Sequence, residues 1–302
     1  MEEKELSQKK VKHNFTTIGL MLIIYVIFVM LVPSGFFYYM RETQPEFLDD
    51  YYLYYGIYFI CIVVGTIIPF FIMRKFSGIK LKSLMRKVNA TFLDLFVQTI
   101  VFFTICVALT YVSNMLALRV GLEGKLIAGI GLDYENAGNI LYIFMLIIAT
   151  PIIEEYAFRG VLLNSLSKYG KTFALYATSL IFALAHNNFA EMIPAFAMGV
   201  ALGKTALRYK SIQPTIIIHI LFNAFIYGLC VMPSSIVQYM AYGLVAICIV
   251  AFALIITGRY ERIQIQPSKN TRLISSLFYS RFTIILTMIL MIGYTCLFTF
   301  FK

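Results

Sequence analysis

Two adjacent glutamates and an arginine, Glu154-Glu155-Tyr156-Ala157-Phe158-Arg159, follow Pro151 in an otherwise apolar stretch. Two further groups lie downstream, Phe182-Ala183-Leu184-Ala185-His186 and His219-Ile220-Leu221-Phe222-Asn223. The chain has three histidines, and His13 sits in the amino-terminal tail, so the other two both fall in apolar runs. An ionisable side chain at bilayer depth costs about 2.5–3.5 kcal/mol on insertion scales, so each of these groups needs a reason to be there. Carboxylates beside imidazoles are the residue types of general acid–base chemistry. The same types also suit a divalent metal, and zinc held by Glu154, His186 and His219 is the alternative.

Each group has its own helical logic. Glu155 and Arg159 are four apart, share a helix face and can pair, which keeps Glu155 ionised and fixes its rotamer. Glu154 points about 100° away, free to face a cavity as a base must. His219 and Asn223 share one face and present two hydrogen-bonding groups in a row, while Phe182 lies one turn from His186 and can wall a pocket. A turn at Tyr169-Gly170 would set position 155 opposite about 185 if both arms rise about 1.5 Å per residue. His219, about seven residues into its helix, would then lie at a different depth unless that helix starts before Pro214. Plainer readings stand beside these. Glu155 and Arg159 read better as a structural ion pair than as catalysts, and the remaining groups could simply bond helix to helix.

The three boxes in this order, Glu-Glu-x-x-x-Arg, Phe-x-x-x-His and His-x-x-x-Asn, resemble the CPBP family. That family unites type II CAAX prenyl endopeptidases with bacterial bacteriocin-processing and immunity (Abi) proteins. The resemblance covers about 150–225, and Gly199 and Gly203 also look like its pattern. It implies an intramembrane endopeptidase in which Glu154 and His186 activate a water. His219 and Asn223 would hold the oxyanion, which calls for preorganised donors in a dry site. Glu155, Arg159 and Phe182 would be supporting residues. No cofactor is expected on this reading, although the family has been described both as metalloproteases and as glutamate-dependent proteases.

The elements that must position these residues are membrane helices. Sixty per cent of the 302 residues are apolar and 13% charged, against roughly 45–50% and 25% in soluble domains. The apolar residues form runs at about 16–40, 51–73, 91–117, 137–157, 172–187, 192–207, 212–232, 235–257 and 282–301. This predicts an all-α transmembrane bundle of about eight or nine spanning helices, with the site between spans four, five and seven. The fifth and sixth runs are short enough to be half-spans. The chain divides into amino-terminal helices (1–136), a catalytic core (137–232) and carboxyl-terminal helices (233–302).

The net charge of +10 would suggest nucleic acid in a soluble chain, but here it is topological and no nucleic-acid partner is expected. Lys4, Lys9, Lys10 and Lys12 precede the first run. Basic clusters recur at 74–90, at Lys168 and Lys171, at Lys204, Arg208 and Lys210, and at Arg259, Arg262, Lys269 and Arg272. The alternate connections carry Glu42, Glu46, Asp49 and Asp50, then Glu123, Asp133 and Glu135. Every second loop is basic, which predicts a cytoplasmic amino terminus in a multi-pass cell-membrane protein, bacterial by its layout. Membrane lipid is the expected partner of the basic clusters.

Other motifs fail. Gly199-x-x-x-Gly203-Lys204-Thr205 is one residue short of a phosphate-binding loop and reads as a helix-packing pair. The five cysteines lack metal or redox spacing. The substrate class expected is a leader peptide, a signalling peptide or a membrane-anchored protein. The alternative is a non-catalytic scaffold that binds and regulates a cell-envelope protein such as a cell-wall enzyme.

Overall fold

The computed structural model describes residues 2–88, 92–119, 137–257 and 270–300, and within them every regular element is helical. Helix α1 (2–43) joins Glu2–Val26 and Val32–Thr43 through a widened turn at Ile27–Leu31. Then come α2 (Tyr51–Phe76), the one-turn α3 (Leu81–Leu84) and α4 (Phe92–Arg119). Helix α5 (137–167) leads to α6 (Lys171–Leu184), α7 (Phe189–Tyr209) and α8 (Gln213–Val231). The chain ends in α9 (Ser234–Ile256), α10 (Thr271–Tyr279) and α11 (Phe282–Phe300). All nine apolar runs fall on helices. The acidic connection with Glu123, Asp133 and Glu135, and residues 258–269 of the late basic connection, lie outside the described residues.

Fewer of the described helices are long enough for a full crossing than there are apolar runs. Among the described residues, four helices are long and apolar enough to cross a membrane: Gln8–Thr43, Tyr51–Phe76, Leu93–Ser113 and Ile140–Ser167. The pair α10–α11, bent by 70°, makes a fifth if counted as one span. Length and composition thus give four or five full spans among the described residues, alongside shorter apolar helices, and the expected eight or nine are not confirmed. The physical reason is clearest at α6, which stops after 14 residues at Leu184, about 21 Å of helix against a hydrocarbon core of roughly 30 Å.

Prolines account for two of the three widened turns. Proline lacks an N–H and its ring collides with the carbonyl four residues back, so the turn before it loosens toward π geometry. Ile27–Leu31 precedes Pro33, and Met145–Ala149 precedes Pro151. A third π segment, Glu155–Leu163, follows after the α-helical Thr150–Glu154 and carries Arg159. There Asn164 Nδ2 donates to the carbonyls of Arg159 and Gly160 at 3.0 and 2.9 Å.

Helix α6 is the hub. Ten of its residues are buried, from Phe173 to Leu184. Helix α7 packs on it through two glycines: a Cβ at Gly199 would lie 2.8 Å from Ser179 Cα, and one at Gly203 2.5 Å from Leu175 Cδ1. The packing-pair reading of this motif is thus the structural one. Phe15 of α1 meets Tyr169, Phe173 and Phe278 at ring separations of 4.8, 6.0 and 5.2 Å. Helix α11 lies along α1, where Thr283 and Thr287 donate to the carbonyls of Thr16 and Gly19. Away from these contacts large apolar residues are bare. Ile249, Phe252 and Ile256 of α9 are each more than 60% exposed, as a lipid-facing surface requires.

The two ends of the bundle carry opposite charge. At one end Asn14 bonds Tyr169, Ser77 bonds Ser165 and Lys168 donates to the Ser77 carbonyl. This gathers the amino-terminal tail and the connections bearing Lys75, Lys80, Lys82, Lys168 and Lys171. At the other end, near Glu42, Glu46, Asp49 and Asp50, rings converge instead: Phe37 on Tyr54, Tyr55 on Tyr142, and Tyr294 bonded to Ser34.

Candidate active site

The site forms where α6 breaks. Ala185 ends the helix, Asn187 takes a left-handed conformation at φ 56°, and Asn188 is extended before α7 begins. Asparagine is among the few residues that adopt the left-handed region readily. Asn188 then caps α7: its Oδ1 accepts from Ala190 N at 3.0 Å and its Nδ2 donates to Glu191 Oε1 at 3.0 Å. A backbone break among membrane helices is tolerated only where its polar groups find partners. His186 sits at this break with Nδ1 donating to the Phe182 carbonyl at 2.8 Å.

The floor of the site is a buried carboxylate held from two sides. Glu155 Oε1 accepts from Arg159 Nη1 at 2.8 Å and from His219 Nδ1 at 2.9 Å, and the three residues are 0, 1 and 2% exposed. Arg159 lies over the face of the Phe182 ring, 4.0 Å from its centroid. That ring also meets His186 edge-on at 4.7 Å and His219 at 6.2 Å. The negative face of the ring thus supports the cation that neutralises Glu155. Because Nδ1 of His219 faces a carboxylate, its orientation is fixed, in the manner of carboxylate–imidazole pairs generally.

Glu154 stands across from this pair. Its Oε2 is 3.8 Å from His219 Nε2, and its side chain keeps 24% of its surface exposed. The separation is too long for a direct hydrogen bond and leaves room for a third group to be shared. The Tyr25 and Tyr58 hydroxyls lie within electrostatic reach of Glu154, as does Glu191, which also faces His186.

Of the seven residues singled out from sequence, Glu155, Arg159, Phe182 and His219 form one contiguous unit, with Glu154 and His186 at its edges. Asn223 is placed differently. Its Nδ2 donates to the Leu146 carbonyl at 2.9 Å rather than pointing with His219 into the site. In the widened turn Thr150 N bonds Met145 O, five residues back. The next donor in that pattern would be residue 151, a proline with no N–H, so the Leu146 carbonyl has no partner in its own helix. Asn223 supplies one.

The mismatch in the depth of His219 is also resolved. Helix α8 begins at Gln213, essentially where the sequence places it, but its start is recessed. Ile212 N donates to the Leu84 carbonyl at 2.9 Å, and a Cβ on Gly160 would touch Leu84 Cδ1 at 3.1 Å and Ile212 Cδ1 at 3.6 Å. The one-turn α3 is therefore tucked under α5 and lifts the start of α8 level with Gly160. From there about seven residues up α8 and five back along α5 bring His219 to Glu155.

Sequence reasoning missed Glu191, Tyr25 and Leu84. Glu191 had a readable signal, since Asn188-x-x-Glu191 has capping-box spacing. The other two carry none. Among the described residues no group of three or more His, Cys, Asp or Glu side chains is placed to hold a metal ion. Glu155 is engaged by Arg159, and His219 has turned Nδ1 toward Glu155.

An acid–base cluster enclosed by short and broken helices, within an apolar bundle, defines a membrane-embedded polar site. Residues 136–225, which hold all seven residues, match the family described as type II CAAX prenyl endopeptidase Rce1-like. Over 93 residues the chain is 38% identical to the membrane-embedded CAAX protease MroQ of Staphylococcus aureus (strain USA300). That stretch is 28% of this chain and 38% of the relative, so the likeness spans well under half of either. Residues 136–225 are thus similar to the CPBP family, and the likeness is carried by that segment. No solved structure matches.

Proposed function

We propose that the protein is an intramembrane endopeptidase that hydrolyses a peptide bond with a water activated by Glu154. The observation that carries this reading is the pair His219–Glu155, with His219 Nε2 facing Glu154 across 3.8 Å. A water held in that gap gives its proton to the Glu154 carboxylate as its oxygen bonds to the peptide carbonyl carbon. The carbonyl oxygen becomes an oxyanion. The imidazolium form of His219, held by Glu155, donates to it from Nε2. The C–N bond then breaks, and the proton gained by Glu154 passes to the leaving amine directly or through His186 Nε2. Asn223 retains one amide hydrogen beyond that given to Leu146, and its share in holding the oxyanion is secondary to its tie to α5. The substrate proposed is a leader or signalling peptide or a membrane-anchored protein, in a bacterial cell membrane with the basic end of the bundle cytoplasmic.

The test is peptide profiling by mass spectrometry of membranes expressing wild type, Glu154→Gln or His219→Ala, with insertion and abundance measured alongside. Loss of one general base costs typically about 10²–10⁴-fold, so cleavage products present with wild type should vanish with Glu154→Gln at equal abundance. Unchanged product in both variants would remove the protease reading and favour a scaffold that binds an envelope protein.

A further inference from the structure

A second cavity, of about 610 Å³, lies behind the site between α4, α6, α7 and α8. Ile218, next to His219, forms part of its inner wall. Its two ends differ. Toward the basic end of the bundle, Gln98 and Thr205 are each 5% exposed and joined at 3.3 Å, and Gln98 Nε2 donates to the Tyr209 hydroxyl at 2.8 Å. Lys204 stands beside them in the lining, half-buried, with no carboxylate or hydrogen-bond partner among the described residues. Toward the bundle centre the lining is apolar, ending at Cys106 and Phe196. Two further lining residues, Ile105 and Tyr176, are each 49% exposed on the outer surface of the bundle, so the cavity opens sideways into the hydrocarbon.

From Gln98 to Cys106 the cavity runs about 12 Å along α4 at 1.5 Å per residue. Its lateral opening and apolar inner end suit a flexible hydrocarbon chain entering from the side, with an anionic group at the Lys204 ammonium. Lys204 sits five residues inside the end of α7, about 7.5 Å, a depth from which a lysine stem reaches the headgroup level.

We propose that this cavity binds an anionic glycerophospholipid, with one acyl chain along α4 and α7 toward Cys106 and Phe196 and the phosphate at Lys204. The bound chain backs the wall that carries His219 and so supports the site from behind. This does not depend on the protease reading. The full chain, purified in a maltoside detergent, is incubated with dioleoyl-phosphatidylglycerol, dioleoyl-phosphatidylcholine or oleate and read by native mass spectrometry. Wild type should retain one phosphatidylglycerol per chain, about five-fold over phosphatidylcholine, as one lysine near a membrane surface contributes. Lys204→Gln should abolish that preference, and Ala197→Phe, which fills the apolar end, should block both phospholipids. Lys204→Gln alone decides the matter if Ala197→Phe does not fold. Equal retention of the two phospholipids by wild type overturns the assignment, as does phosphatidylglycerol binding that survives Lys204→Gln unchanged. Binding of oleate but neither phospholipid would mark a fatty-acid pocket and also overturn it.

Discussion

Asn223 shows how a residue chosen for chemistry can be anchored by backbone geometry. Its spacing from His219 suggests paired donors, and the structure engages its amide on a carbonyl that Pro151 leaves without a partner. An unpaired buried carbonyl costs about 1–3 kcal/mol, so Asn223→Ala should lower stability in detergent by about 1 kcal/mol. Pro151→Ala restores an N–H to α5, and Asn223→Ala should then cost measurably less. Thermal unfolding of the four variants of this cycle gives the coupling directly. Additive effects would show that the bond is incidental. At this scale sequence reading did well where a short-range rule applied. Glu155 and Arg159 were paired by their spacing and meet at 2.8 Å, and Phe182 walls the pocket one turn from His186. It fell short at contacts between helices, because nothing in His219-x-x-x-Asn223 reveals that one member faces Glu155 and the other Leu146.

The elements that matter most are the broken and crowded ones. The His186-Asn187-Asn188 break is built from local preferences, a left-handed asparagine and an asparagine cap, and each can be altered separately. Asn188→Ala should cost about 1 kcal/mol through loss of the cap, whereas Asn187→Gly should be nearly neutral and Asn187→Val strained. Thermal unfolding that ranks glycine below valine at 187 would contradict the assigned backbone. On the facing helix the two glycines are unequal. A methyl at Gly199 meets the Ser179 backbone, and one at Gly203 meets only the mobile end of Leu175. Gly199→Ala should therefore lower the unfolding temperature more than Gly203→Ala. The nine helical runs were legible because length and hydropathy report on each segment alone. How many cross the membrane was not, since α6 stops at a break set by two asparagines. The short α3, which lifts α8 into register, is four residues long and has no periodic signal of its own.

At the scale of the molecule, alternating loop charge is the sequence feature that translates most directly into three dimensions. The described basic connections meet at one end and the acidic connection after α1 at the other, with the site between them. Its surroundings toward those ends are not alike. Below it Leu84, Ser211 and Ile212 are 3, 3 and 4% exposed and packed under Gly160. Above it Glu154 keeps partial exposure beneath Tyr58 and the ring cluster. That plug gives the protein a sidedness. A membrane-impermeant thiol reagent should label Glu154→Cys in sealed vesicles when added on the acidic side, and not from the basic side. Equal labelling from both sides would mean the plug leaks. On the protease reading proposed above, with a cytoplasmic amino terminus, the attacking water is drawn from outside the cell. An inhibitor of this protein would then need no route into the cytoplasm, and the cell could not dilute it by efflux.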